Sequence, residues 1–252
     1  MSEKIKISCL PVGGIENPYQ FLMMEGLRLD NKLIVLHGIE GKFGAILRTA
    51  IIQKPDYIHF DWIHQYYLRR KKWMTWLMMP FYFIEIVLVR RFFKVKLVWT
   101  LHNIMPHDQP MSGPYIWSRR FFAKQCDWIR VFSESTIDHA SRILKIDKNK
   151  LKVVPEGSYV GYYPNKVSRE EARERFGIPS NKQVFLFFGS IKPYKGIESL
   201  INIYKQLGRN RGILLIAGKA LNKAYLDELT SLIGQDNQII VNGDRVPVDV
   251  VQ

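Results

Sequence analysis

Apolar residues in this chain fall into two alternating kinds of run. Short stretches rich in branched and aromatic side chains recur at Ile5–Leu10, Leu33–Leu36, Tyr57–Phe60, Leu97–Leu101, Trp128–Phe132, Leu151–Val154, Val184–Phe188, Ile213–Ala217 and Gln238–Val241. Several, such as "VFLFF" and "ILLIA", are apolar at consecutive positions. A strand covered on both faces needs that pattern, whereas a strand with one wet face alternates. Most intervals between these runs show the three-and-four spacing of a helix with one buried side. The alternation predicts an α/β chain with mainly parallel sheets joined by crossover helices. No internal repeat or low-complexity tract interrupts it.

The pattern breaks once, at "PEGSYVGYYPNKVS" (155–168), where Pro, Gly and Ser occur without a helical period. "SREEARERFGIP" follows, with Ser168 and Glu171 spaced as a capping box and Gly177 and Pro179 as a stop. These signals predict two Rossmann-like domains, 1–165 and 166–252. The second has about three strands, thin for an open sheet with helices on both sides, and is expected to be incomplete.

Composition changes the picture mainly through charge. With 47% hydrophobic and 24% charged residues, wholesale disorder is excluded. The 37 Lys+Arg against 23 Asp+Glu leave a net charge of +14, which favours anionic partners. The surplus is densest in "RRKKWMTWLMMPFYFIEIVLVRRFFKVK" (69–96), where eight basic residues flank an apolar segment holding five aromatics and one acid, Glu85. Three readings stand: a crossover helix buried on the first sheet, an amphipathic helix lying in the plane of an anionic membrane, and a span. Pro80, Glu85 and positive charge at both ends weigh against the span. Nucleic acid is not expected, because the charge surrounds an apolar segment instead of interleaving with polar helix faces. Cys9 and Cys126 are too few and too far apart for a disulfide framework and read as buried thiols. The N-terminus "MSEKIKISCLPVGG" lacks the apolar core of a signal peptide, so an intracellular protein is expected.

Four stretches can carry chemistry. "LPVGGIENPY" places Gly13 and Gly14 between the first strand and a helix, as a plain turn or as backbone donors to a phosphate. "VWTLHNIMPHDQP" sets His102, Asn103, His107 and Asp108 past the end of a strand, the edge where open α/β sheets bind ligands. These residues can contact sugar hydroxyls or form an acid/base pair, or His102 can simply cap the strand. Zinc is disfavoured, since no cysteine or second acidic ligand lies nearby. "VVPEGSY" carries Glu156 into the linker, facing a cleft or simply solvated. The strongest signal is "FFGSIKPYKGIESLI", in which Gly189 turns the chain off a strand and Lys192 and Lys195 precede an amphipathic helix. Two ammonium groups beside a helix N-terminus repel each other and the dipole unless an anion, such as a diphosphate, sits there.

Gly-x-x-Lys-Pro-Tyr-Lys-Gly after an apolar strand resembles the donor-diphosphate loop of GT-B glycosyltransferases, particularly glycosyltransferase family 4. The glycine loop after strand one, "TLHN", "VVPEGSY" and "SREEARERFGIP" resemble that family in the same order, over nearly the whole chain. The resemblance implies a GT-B-like fold. It also implies a hexosyltransferase that uses a nucleotide-diphosphate sugar and retains configuration, without a cofactor or protein-bound metal. Lys195 then matches the diphosphate lysine, with Lys192 and Gly189 beside it and Gly13 and Gly14 near the donor phosphates. His102 matches the histidine at the transferred sugar, and Asn103, His107, Asp108 and Glu156 are acceptor or sugar contacts. Glu156 stands where the family usually has histidine or asparagine, and Ser190 where it often has a basic residue. The family's paired donor glutamates would lie beyond residue 252. The expected setting is polysaccharide biosynthesis at the inner face of the cell membrane, with a cytoplasmic, peripherally bound protein and a lipid-linked or oligosaccharide acceptor. The alternative is a non-catalytic binding or assembly subunit, or an inactive fragment of a longer enzyme.

Overall fold

A computed structural model describes residues 4–13, 18–104, 113–208 and 211–246. The chain divides into two compact units, Met1–Ser158 and Tyr159–Gln252.

The first unit runs β1 (Ile5–Leu10), α1 (Tyr19–Arg28), β2 (Leu33–His37), α2 (Ala45–Gln53), β3 (Tyr57–Phe60), α3 (His64–Tyr67), α4 (Lys72–Arg91), β4 (Lys96–Thr100), α5 (Gly113–Gln125), β5 (Trp128–Val131), α6 (Ser135–Leu144) and β6 (Leu151–Val153). Its six strands form one parallel sheet in the order β2-β1-β3-β4-β5-β6. The chain leaves β1 toward β2 on one side and returns on the other side as β3, so the winding reverses between β1 and β3. Ligands of open α/β sheets bind past the carboxyl ends of strands at such a reversal. Register aligns those ends, with Leu10 beside Phe60, Phe60 beside Trp99 and Thr100 beside Arg130. Phe60, Tyr67, Ile86, Trp99 and Phe122 are fully buried in the core between sheet and helices.

The stretch 69–96 is resolved into parts. Lys96 opens β4, and α4 is a crossover helix whose residues Thr75, Met79, Tyr82, Ile86 and Val89 are buried at alternating steps of four and three. Pro80 lies inside the helix without ending it. Glu85 is turned toward α2: its carboxylate accepts from the backbone N–H of Gly44 (2.8 Å), Ile46 (3.1 Å) and Leu47 (3.2 Å). It thus supplies the anion that the N-terminus of α2 lacks, there being no side-chain cap from Gly44 itself.

The second unit runs α7 (Arg169–Arg175), β7 (Val184–Phe188), α8 (Ile197–Gln206), β8 (Ile213–Ala217), α9 (Lys223–Ile233) and β9 (Ile239–Asn242), with a parallel sheet β7-β8-β9. Ser168 and Glu171 form the capping box at the start of α7. Helices α8 and α9 cover one sheet face through Ile197, Ile201, Tyr204, Tyr225 and Leu229 against Leu214 and Ile216. The opposite face is only partly covered, and Leu186 and Phe188 remain exposed in a groove shared with Arg169, Arg173 and Phe176.

Candidate functional site

In the first unit the ends of β1, β3 and β4 are joined by a polar chain around Asp61, the residue directly after β3. His102 Nε2 lies 3.1 Å from Asp61 Oδ1. Asp61 Oδ2 accepts from Gln20 Nε2 at 2.8 Å, and Gln20 Oε1 accepts from the Gly13 N–H at 2.6 Å. Trp99 Nε1 donates to the Asp61 carbonyl at 3.1 Å. Asp61 is buried, which alone would raise its carboxyl. The hydrogen bond with His102, the facing His59 and the Gln20 amide outweigh that, holding it below the usual carboxylate range. An ionised carboxylate only accepts, so the proton between the pair belongs to His102 Nε2.

Aromatic rings fix the imidazole further. Trp62 stacks on it (centroids 4.9 Å, planes 14° apart), Tyr19 meets it edge-on at 4.6 Å and Phe132 closes a third side at 5.6 Å. Behind this layer His59 Nε2 lies 2.7 Å from Thr100 Oγ1, buried and held toward the neutral form by burial. Arg130 donates to Tyr19 Oη at 2.8 Å and to the carbonyls of Val154 and Pro155, which anchors the segment leading to Glu156. Burial and then the Asp61 charge push the Tyr19 phenol up to about 12, and the Glu156 carboxylate adds to the same shift. Glu156 is therefore within electrostatic reach of the cluster.

Asn103 is exposed, and its carbonyl accepts from the buried Arg119. The Arg119 guanidinium lies over Trp99 (4.9 Å) and Tyr115 (5.0 Å) and donates to Tyr115 Oη at 2.7 Å. Gly14, His107 and Asp108 lie outside the described residues. Gly13 is tightly confined, since a Cβ there would meet Gln20 Oε1 at 3.0 Å. Its N–H is engaged by Gln20 in this conformation. Asp61, Gln20, Arg119 and Arg130 were missed by sequence reasoning. Asp61 alone left a signal, an acid immediately after an apolar strand in "YIHFDW". Both cysteines are buried free thiols, Cys9 pushed up to about 12 by burial and the Asp61 charge. Among the described residues, no group of three or more His, Cys, Asp or Glu is arranged to hold a metal ion.

In the second unit the loop after β7 is built by its neighbours. Gly189 leaves the strand with a φ of 144° and donates to the Ala217 carbonyl at 3.0 Å. Ile191 is fully buried and bridges Ala220, exchanging hydrogen bonds with Lys219 and Leu221. A Cβ on Gly218 would meet Gly189 O at 2.0 Å, so the loop after β8 needs glycine to come this close. Pro193–Lys195 form one 3₁₀ turn, and Gly196, at φ 71°, turns the chain into α8. Lys192 and Lys195 both stand by the Tyr194 ring, their ammonium groups 5.9 and 5.1 Å from its centroid. Glu198, the acid in the first turn of α8, accepts from Tyr225 Oη at 2.6 Å. No side chain caps α8 among the described residues, so the lysines and the helix N-terminus present donors and positive potential together.

Residues 168–251 match the family model Glycosyl transferases group 1. The match takes in most of the second unit, including the lysine loop. The chain is 30% identical over 131 residues to an uncharacterized glycosyltransferase, MJ1607, of Methanocaldococcus jannaschii, covering 49% of this chain and 33% of that protein. To a D-inositol 3-phosphate glycosyltransferase of Corynebacterium efficiens it is 23% identical over 216 residues, covering 77% and 47%. The chain thus spans between a third and a half of these curated relatives. Anabaena Alr3699/HepE, solved in complex with UDP and glucose, superposes with a TM-score of 0.68 at 16% identity over 96% of this chain and 70% of that one. This likeness is one of fold: the two units are α/β with parallel sheets, of the GT-B type.

Proposed function

We propose that this chain belongs to an enzyme that transfers a hexosyl group from a nucleotide-diphosphate sugar to a lipid-linked or polysaccharide acceptor at the cytoplasmic face of the membrane. The observation that carries the reading is the loop Gly189–Gly196, within the stretch that matches the group 1 family model, with two lysines set at an uncapped helix N-terminus. Lys195, seconded by Lys192, stabilises charge that develops on the leaving diphosphate, and Gly189 gives the phosphates close access to backbone. His102, oriented by Asp61, contacts the transferred sugar or its acceptor, with Asn103, Glu156 and the acceptor-side residues of the first unit around it. HepE was solved with UDP and glucose, which supports a uridine nucleotide sugar as the first donor to try.

Isothermal titration with uridine diphosphate tests the donor site in the 252-residue chain and in its Lys195→Ala variant. Binding that falls about a hundredfold or more in the variant supports the reading. Unchanged affinity and transfer in Lys195→Ala sink it. Absence of nucleotide binding by the unaltered chain favours the alternative of a non-catalytic subunit or fragment.

A further inference from the structure

Helix α4 has two apolar sides. One is the stripe Thr75, Met79, Tyr82, Ile86 and Val89, buried in the core of the first unit. A helix that merely crosses over a sheet is polar on the side away from it. Here Trp73, Trp76, Leu77, Phe81 and Ile84 stand on that outer side, each between 42% and 62% exposed. The surface continues onto two neighbouring elements. Trp76 meets Trp117 of α5 edge-on at 5.5 Å, and Phe81 meets Phe43, just ahead of α2, at 5.0 Å. An apolar patch built from three elements is an interaction surface rather than scattered exposure.

Charge identifies the partner. Arg70, Lys71 and Lys72 are exposed at one end of the helix, and Arg91 and Lys94 at the other. Glu85, the one acid of the segment, is withdrawn onto the N-terminus of α2. Both ends are therefore basic. A second copy laid along α4, parallel or antiparallel, would bring positive ends together, which disfavours self-association. A span is excluded by the inner stripe, since pulling α4 into a bilayer would strip Tyr82 and Ile86 from the core. Exposed tryptophans between basic clusters suit the boundary between headgroups and acyl chains, where aromatic rings and lysines each find their solvent.

We infer that the outer side of α4, extended by Phe43 and Trp117, seats the first unit on an anionic lipid bilayer with α4 lying in the membrane plane. This rests on the membrane-face reading above and adds to it the surface, the orientation and the lipid charge. It is independent of the donor loop.

Flotation of the 252-residue chain tests it, with phosphatidylcholine vesicles and with vesicles that also contain phosphatidylglycerol. Binding is expected only to the anionic vesicles, with a blue shift of tryptophan emission. Both Trp76→Ser/Phe81→Ser and Arg70→Glu/Lys71→Glu should lower the bound fraction about tenfold. The charge pair lies ahead of α4 and makes no core contact, so it guards against a folding artefact; circular dichroism should be unchanged. Equal binding to both vesicle types, or full binding by both variants, overturns the inference. So does a concentration-dependent dimer in sedimentation that both variants dissolve. Uridine diphosphate titration of the same samples separates the two readings. Lost flotation with intact nucleotide binding leaves the donor site standing, and intact flotation without nucleotide binding leaves the membrane surface standing.

Discussion

Asp61 is the residue on which the most contacts of the first-unit cluster converge. Its carboxylate holds the His102 ring by a hydrogen bond, so on the function proposed above Asp61→Asn keeps shape but alters the contact that fixes the ring. Transfer is expected to fall about tenfold to a hundredfold. Nitrogen NMR of His102 should show loss of the single tautomer, a signature that a purely structural role would not give. Stability should follow pH with a definite sign. Burial lowers the His59 proton affinity, and Asp61 lies below the ordinary carboxylate value. The unfolded chain therefore binds more protons than the folded one at both sites. His59 begins to destabilise the fold as pH falls below about 6.5, with a slope approaching about 1.4 kcal/mol per pH unit. Asp61 adds its share below about 4, where its folded-state advantage is lost. Urea unfolding at a series of pH values checks this. His59→Gln, which keeps a polar partner for Thr100, should flatten the first limb.

At the scale of elements, two connections carry specific leverage. Glu85→Ala removes an acceptor of three N–H groups at the start of α2 and should cost about 2 kcal/mol in chemical unfolding, with Glu85→Gln losing less. Gly218→Ala forces a methyl group into the Gly189 carbonyl at a φ of 141°. It should cost about 2–3 kcal/mol and weaken uridine diphosphate binding by titration, although residue 218 itself carries no donor charge. The strands of the described residues were legible because they are short runs rich in branched and aromatic side chains, several of them apolar at consecutive positions, and the lysine loop because its turn chemistry is local. The cluster around Asp61 was not. Gln20, Asp61, His102 and Arg130 are distant in sequence, and only the order β1-β3-β4-β5 brings their strand ends side by side. The withdrawal of Glu85 was hidden for the same reason, since its partners lie some forty residues earlier.

Over the whole molecule, charge and apolar surface are distributed unevenly. A net charge of +14 rests on a fold whose densest basic stretch borders exposed tryptophans, while the second unit exposes Leu186 and Phe188 on its sheet. Helix α4 joins the two concerns, because the same twenty residues, Lys72–Arg91, serve the core on one side and stand in solvent on the other. Bilayer attachment and folding then become linked equilibria. A surface that exists only in the folded protein makes every bound lipid patch a stabiliser of the native state. Anionic vesicles should raise the melting temperature of the first unit, by about 2.7 kcal/mol of stability at a hundred times the dissociation constant. Differential scanning calorimetry with and without vesicles measures it. The relation runs both ways: loosening the core at Ile86 should weaken membrane affinity without altering a single lipid contact.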